Sequence, residues 1–155
     1  MTNRIVVGVD GSPESEAALA WAVAEAERRS ARVEAVHTYD LPVFADPVGI
    51  GATTLYENIP EIEQAAKDLL TRLVDAHALP GVTVDPFVAQ GPAGGILVDR
   101  SEGAELVVVG ARGHGAVTSL LLGSVSQHVT HHAKCPVVII PHAAVPDTAV
   151  PDPGA

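Results

Sequence analysis

Apolar residues recur along the chain in two patterns. Short, nearly unbroken apolar runs are typical of strands buried on both faces of a sheet. Longer segments with apolar residues every three or four positions predict amphipathic helices. The apolar runs predict strands at Ile5–Val9, Ala31–Thr38, Val82–Ala89, Leu106–Val109 and Pro136–Ile140. The periodic segments predict helices at Glu14–Arg29, at Ile59–Ala78, in a short stretch ending at Arg100, and at Ser124–Ala133.

Capping and breaking residues predict where these elements begin and end. Ser12 is a predicted N-cap of the first helix, with Pro13 at the first helical position. Ser124 and Gln127 fit a capping box, which predicts Ser124 as the N-cap of the last helix. Residues Tyr39–Asn58 have no clear period and contain proline and glycine, so they predict a long loop.

The order of the predicted elements indicates the fold class and the domain. Strands that alternate with helices predict an α/β domain, a doubly wound and mainly parallel sheet with helices on both faces. The chain of 155 residues is long enough for one such domain, which we expect to cover residues 1–142. Residues 143–155 are rich in proline and alanine without periodicity, and we expect a disordered tail there.

Composition narrows the classes of partner. The formal net charge of −10 argues against binding to nucleic acid or to anionic membranes. Cys135 is the only cysteine, so no disulfide can form within the chain, which fits a reducing cytoplasm. No apolar run approaches the roughly 18 residues of a membrane span. We therefore expect a cytoplasmic protein that binds neither nucleic acid nor a membrane.

The segment 107–126 carries the clearest candidate chemistry. Gly110, Gly113 and Gly123 follow a buried strand in the spacing Gly-x2-Gly-x9-Gly, and Ser124 comes next. Glycines allow backbone N–H groups to approach a ligand, and the start of the following helix favours phosphate. The segment is neither a P-loop nor the dinucleotide fingerprint. It therefore predicts a phosphate site of another kind, although a plain tight turn is the simpler alternative.

Asp10 ends the first predicted strand and is the second candidate. Ligands of doubly wound sheets bind at the carboxyl ends of the strands, so Asp10 would face the glycine loop if the first and fourth strands are neighbours. Its carboxylate could accept hydrogen bonds from ribose hydroxyls. It could equally close an Asx-turn or cap a helix.

Other reactive side chains give weaker signals. Arg112 and His114 could contact phosphate from the loop, or simply be solvated. His128 and His132 share one helix face, but two histidines without a third ligand fall short of a metal site, and we predict none. Cys135 is expected to be a small core residue. The absence of a Gly-x-Ser-x-Gly elbow gives little support to a hydrolase triad.

These motifs together resemble the ATP-binding branch of the universal stress protein family. The resemblance rests on the glycine spacing, on the opening IVVGVDGSPES, on Gly91-Pro92-Ala93 and on the closing LLGSVSQHVTHHAKCPVVII. It covers nearly all of residues 3–141. It implies a five-stranded parallel sheet of order 3-2-1-4-5, in which the first and fourth strands are neighbours.

The resemblance also implies a role for each matching position. Residues implied to lie beside the adenine and ribose are Gly8, Val9, Asp10, Thr38 and Val109. Residues implied to follow the sugar and phosphates are Gly110, Arg112 and Gly113. Residues implied to bind phosphates at the helix start are Gly123, Ser124, Val125 and Ser126. The implied cofactor is ATP with Mg²⁺ or Mn²⁺, and the implied partner is a second copy, bound through the last strand, Val137–Ile140.

The function implied by the resemblance is an ATP-binding stress-response protein that acts as a nucleotide-dependent switch. The family also includes proteins that bind cyclic AMP, and the motif does not separate the two ligands. A slow ATPase is a further alternative. The glycine loop contains no acidic residue and no lysine, so we expect little or no hydrolysis. A purely structural dimer would use the same fold without a ligand.

Overall fold

The computed structural model describes residues 3–41, 51–113 and 121–142 of the chain. Within them, strands and helices alternate along the whole sequence. The elements are β1 (Arg4–Gly8), α1 (Pro13–Arg29), β2 (Arg32–Tyr39), α2 (Gly51–His77), β3 (Val84–Gln90), α3 (Ala93–Ser101), β4 (Leu106–Gly110), α4 (Ser124–His132) and β5 (Val137–Ile140).

All described strand pairs are parallel, and the sheet has the order β3-β2-β1-β4-β5. This confirms the predicted fold class, including the strand order. The ladder between β1 and β4 pairs Ile5 with Leu106 and Val7 with Val108. The strand order therefore reverses between these two strands, and their carboxyl ends lie side by side.

The central strands are buried on both faces because helices cover each side. Ile5 and Val7 of β1 pack in one core with Leu19 of α1 and Leu70 of α2. The intervening residue Val6 belongs to a second core on the other face, which includes the following side chains from α3, β4 and α4: Leu97, Val107, Val109 and Val129. Continuous apolar runs such as LVVVG in β4 follow directly from this two-sided burial.

The main error of the sequence prediction concerns the second helix. Tyr39–Asn58 was predicted to be one loop, but α2 begins at Gly51 and contains Pro60. Proline lacks the N–H that an interior helical position donates, so Pro60 resembles a helix start more than an interior residue. Residues 42–50, the rest of the predicted loop, lie outside the described residues, as does the predicted tail from residue 143.

Other predicted boundaries differ from the observed ones by one or two residues. Among the residues that the structure describes, no helix combines the length and apolarity needed to cross a membrane.

Candidate functional site

A pocket of about 290 Å³ opens at the carboxyl ends of β1, β2 and β4, where the strand order reverses. All twelve residues that the family resemblance implied as nucleotide contacts lie in its wall. These are Gly8, Val9, Asp10, Thr38, Val109, Gly110, Arg112, Gly113, Gly123, Ser124, Val125 and Ser126. The fold thus brings together residues that are more than 110 positions apart in the chain.

Sequence reasoning missed further residues of the wall, namely Ser12, Ser15, Val36, Ala93 and Leu97. Val36 could have been found, because side chains two positions apart on a strand share a face and Thr38 was a candidate. Ser12 was identified only as a helix cap. Ser15 and Leu97 carried no separate signal, since each looks like an ordinary residue of an amphipathic helix.

One end of the pocket is apolar. Val9, Val36, Val109 and Leu97 are each almost fully buried there. A Cβ atom placed on Gly8 would lie 2.9 Å from Leu97 Cδ1. Glycine at the end of β1 therefore lets α3 pack closely against the sheet and shapes this wall.

Asp10 follows Val9 in the pocket wall and faces Gly113 of the glycine loop, at the start of a tight turn. Its Oδ1 accepts a hydrogen bond of 2.8 Å from the backbone N–H of Ser12, which is an Asx-turn. The Asp10 N–H donates to Ser15 Oγ at 3.1 Å. The simpler interpretation of Asp10 is thus confirmed as a local structure. It coexists with a position in the pocket wall, which the functional interpretation requires.

Gly113 packs directly against the Asp10 carboxylate. A Cβ atom built on Gly113 would collide with Asp10 Oδ2. A side chain at residue 113 would therefore displace the Asp10 carboxylate, because the loop closely approaches the end of β1. The first and second candidates of the sequence analysis, the glycine loop and Asp10, form two sides of one crevice.

Hydrogen bonds close the base of the glycine loop. The Ala111 carbonyl accepts one bond of 2.7 Å from the Gly123 N–H and another of 2.8 Å from Ser126 Oγ. Ser126 is almost fully buried, at 2% exposure. These bonds fix the start of α4 against the end of β4. His114 lies outside the described residues.

The predicted capping box at the start of α4 is wrong. The N-cap is Gly123, whose carbonyl accepts the Gln127 N–H at 3.0 Å, and no side chain caps the helix. Gln127 Nε2 donates instead to the Leu122 carbonyl. Gly123 adopts the extended conformation of an N-cap, which places Ser124 inside the first turn. The N-terminus of α4, with its partial positive charge, thus carries no side-chain cap where it lines the pocket.

In contrast, α1 begins as predicted. Ser12 is its N-cap and accepts the Ser15 N–H at 3.3 Å, and Pro13 follows at the first helical position. The helices that begin beside the pocket therefore differ: a serine hydroxyl caps α1, whereas α3 and α4 have only backbone groups at their starts.

The carboxylate of Glu14 lies close to His142 and Arg112 behind the loop. Burial alone raises the pKa of Glu14, but the hydrogen bond from His142 and the charges of His142 and Arg112 outweigh it, so the pKa lies below its usual value. His142 Nδ1 is 2.7 Å from Glu14 Oε1. A Cβ atom on Gly110 would lie 2.8 Å from Glu14 Cβ. The ionised Glu14 is therefore balanced locally by side chains at the ends of β4 and β5.

The remaining candidates lie away from this pocket. The His128 and His132 rings are 4.6 Å apart on α4, and the described residues contain no group of three or more ligands suited to a metal ion. Cys135 is half-buried against the core formed with α3 and α4. Burial raises the pKa of its thiol, which disfavours the reactive thiolate.

Comparison with known proteins assigns the chain to a family. Residues 1–141 match the Universal stress protein family. A universal stress protein of Thermus aquaticus is 41% identical over 147 residues, covering 90% of this chain and 99% of the relative. One of Mycolicibacterium smegmatis is 38% identical over 141 residues, covering 88% of this chain and 47% of the relative. The chain thus spans about half the length of its mycobacterial relatives.

Solved structures agree with this assignment. Universal stress protein UspA from Lactobacillus plantarum is 26% identical and superimposes with a TM-score of 0.73, covering 89% of this chain and 97% of that one. A universal stress protein in complex with cyclic AMP is 27% identical, with a TM-score of 0.57 and coverage of 90% and 96%. By sequence and by fold, the chain belongs to the universal stress protein family.

Proposed function

We propose that this chain binds an adenine nucleotide, ATP in the first place, and acts as a nucleotide-dependent switch in a stress response. The observation that carries the proposal is that one pocket combines buried apolar side chains, a strand-end carboxylate and a helix N-terminus without a side-chain cap. The base, ribose and phosphates of a nucleotide need these three kinds of group.

The apolar end suits a purine base. Val9, Val36, Val109 and Leu97 would enclose the two faces of the ring, and burial of apolar surface would supply much of the affinity. Thr38 lies in the same wall and could hydrogen-bond the ring edge through its hydroxyl. The pocket wall in the described residues offers no buried carboxylate or amide at this end to select guanine.

The middle of the pocket suits a ribose. Asp10 lines the pocket and has an acceptor side chain, whose Oδ1 also closes the Asx-turn. The vicinal hydroxyls of a ribose are donors of matching chemistry. We therefore assign Asp10 to the ribose in this proposal.

The far end suits phosphates. The first-turn N–H groups of α4, from Ser124 to Ser126, have no side-chain cap, and Arg112 adds a positive charge to the same wall. Because the chain carries a net charge of −10, a triphosphate also needs local neutralisation. Mg²⁺ or Mn²⁺ bound to the phosphates would supply that neutralisation.

We expect the bound ATP to be hydrolysed slowly or not at all. Hydrolysis needs a positioned water or base and charge stabilisation at the γ-phosphate. The glycine loop contributes no carboxylate and no lysine, and this proposal assigns Asp10 to the ribose. A single-turnover assay with labelled ATP tests this. Turnover that a loop substitution abolishes would make the protein an ATPase rather than a switch alone.

Cyclic AMP is the second candidate ligand, because a relative of known structure is in complex with it. The base and ribose ends would serve both nucleotides, and only ATP has the chain of phosphates that reaches α4. Calorimetric titrations with Mg·ATP and with cyclic AMP, at equal protein concentration, separate them. Tighter binding of Mg·ATP supports the proposal. Tighter binding of cyclic AMP would show that cyclic AMP, and not ATP, is the ligand.

We also propose that the chain forms a homodimer through β5, Val137–Ile140. This strand lies at one edge of the sheet and is entirely apolar, and three of its four residues are only half-buried. An edge strand with unpaired backbone groups favours pairing with another chain. The other edge strand, β3, contains Pro86, which suits an edge that stays solvent-exposed.

A further inference from the structure

His37 lies on β2 next to Thr38, but it does not line the pocket. Neighbouring residues on a strand point to opposite faces, so His37 shares a face with Ala35, which packs in the core under α1 and α2. Val36 and Thr38 line the pocket on the other face. Any effect of His37 on a bound nucleotide must therefore pass through another residue.

That residue is Val9. His37 Nδ1 lies 2.7 Å from the Val9 carbonyl oxygen. A carbonyl oxygen only accepts, so Nδ1 carries the proton and donates it. The Val9 N–H donates to the Val36 carbonyl at 2.8 Å, which extends the ladder between β1 and β2 beyond Gly8. The imidazole thus continues the hydrogen bonding of the sheet at the end of β1.

The Val9 carbonyl belongs to the same planar peptide group as the Asp10 N–H. That N–H donates to Ser15 Oγ at 3.1 Å, so the peptide is held from both sides. On the side chain of Asp10, Oδ1 accepts the Ser12 N–H and Oδ2 faces Gly113. Rotation of the Val9–Asp10 peptide would therefore turn the Asp10 carboxylate within the crevice.

We infer that His37 is a positioning residue for the nucleotide: through the Val9–Asp10 peptide, it holds the Asp10 carboxylate in the orientation that receives the ribose hydroxyls. The inference rests on the proposed function and adds a residue outside the pocket. It makes a specific prediction, because the effect of His37 must depend on the presence of the ribose hydroxyls.

The test compares ATP with 2′,3′-dideoxy-ATP, which lacks both hydroxyls, on three full-length chains: wild type, His37→Leu and His37→Asn. The leucine variant removes the donor. The asparagine variant keeps one, because Asn Nδ2 occupies nearly the same position along the side chain as His Nδ1. Melting curves verify that each variant folds.

We expect His37→Leu to lose about tenfold in affinity for ATP, since a hydrogen bond from a ribose hydroxyl to the charged Asp10 carboxylate contributes about this much. The same variant should bind dideoxy-ATP as wild type does. His37→Asn should bind ATP within about twofold of wild type. Equal ATP affinity of wild type and His37→Leu would overturn the inference. So would an equal loss for both nucleotides, or a failure of asparagine to restore binding. Wild-type protein that binds neither nucleotide would instead refute the proposed function.

Discussion

Ser126 and Ala111 join the two ends of the glycine loop: the hydroxyl of Ser126, in the first turn of α4, donates to the carbonyl of Ala111, just after β4, at 2.8 Å. The same hydroxyl lies 3.0 Å from the Gly123 carbonyl. The serine that the family resemblance implied as a phosphate ligand thus has a structural role through its hydroxyl. Its backbone N–H remains at the start of the helix, beside the pocket.

Replacing Ser126 by alanine should lower stability and nucleotide affinity together. The loss of one buried hydrogen bond should reduce the free energy of unfolding by about 1 kcal/mol. The less firmly held loop should bind ATP several-fold more weakly. Urea denaturation and calorimetry measure the two effects. Unchanged stability of the alanine variant would show that the Ala111 bond contributes nothing.

Ser124→Ala is the matched control for stability, and it also tests the corrected start of α4. If Ser124 were the N-cap, its replacement would cost about 1 kcal/mol. Because Gly123 is the N-cap and Ser124 is exposed, we expect the free energy of unfolding to change by only about 0.5 kcal/mol or less. A loss of unfolding free energy as large as that of Ser126→Ala would show that Ser124 caps the helix after all.

Glu34 should make stability depend on pH in the acid range. Burial alone raises the pKa of Glu34, but hydrogen bonds of 2.6 Å from Arg100 and the charges of Arg100 and Arg4 outweigh it and hold the pKa below 4.5. A carboxyl whose pKa is lowered by folding stabilises the protein above its unfolded pKa. This contribution is lost as the pH falls through the lower folded pKa.

Glu34→Gln should therefore be less stable than wild type at pH 7, by about 2–3 kcal/mol, since it leaves two arginines without their anion. The difference should shrink as the pH falls below 4.5. Chemical denaturation at pH 7 and pH 3.5 measures it. Glu63→Gln, which breaks an exposed pair with Lys67, is the control and should have a much smaller effect. A difference that does not depend on pH would contradict this assignment.

A charge at the β5 edge should disrupt the proposed dimer. Val138→Lys places a cation in the apolar strand Val137–Ile140, where a paired strand would have to accommodate it. We expect analytical ultracentrifugation to show a dimer for wild type and a monomer for Val138→Lys. Val88→Lys makes the same change on β3, at the opposite edge, and should leave the dimer intact if both variants fold. A wild-type monomer, or equal effects of the two variants, would contradict dimerisation through β5.

The sequence predicted the sheet well because its central strands are buried on both sides and must be apolar throughout. In β4 the run LVVVG is short and rich in β-branched valine, which favours a buried strand. The beginning of α2 was missed, because Pro60 and the glycine and threonines before it are weak helix formers. Tertiary packing or neighbouring turns can override such local preferences, and a single sequence does not reveal this.

The sequence predicted which residues form the candidate site, but not all of their contacts. Gly110 and Gly113 pointed to the crevice, because glycine is common where two backbone segments or a backbone and a side chain lie close together. In the structure Gly110 packs against Glu14, and Gly113 packs against Asp10. The capping residue of α4 was misplaced by one position, because Gly123 and Ser124 are both common N-caps. The hydrogen bond from His37 to Val9 depends on how β1 and β2 pair, which no local pattern encodes.

The central claim is that a nucleotide occupies the crevice between Asp10 and the glycine loop. Native mass spectrometry of the chain with added Mg·ATP tests it on wild type, Gly113→Ala and Gly95→Ala. A Cβ atom on Gly113 would collide with Asp10, whereas one on Gly95 meets only Pro92 Cγ, at 3.8 Å. We predict one ATP per protomer for wild type and for Gly95→Ala. For Gly113→Ala we predict an affinity for ATP that is lower by about tenfold or more. Wild-type protein without bound ATP, or equal binding by Gly113→Ala, would contradict the account.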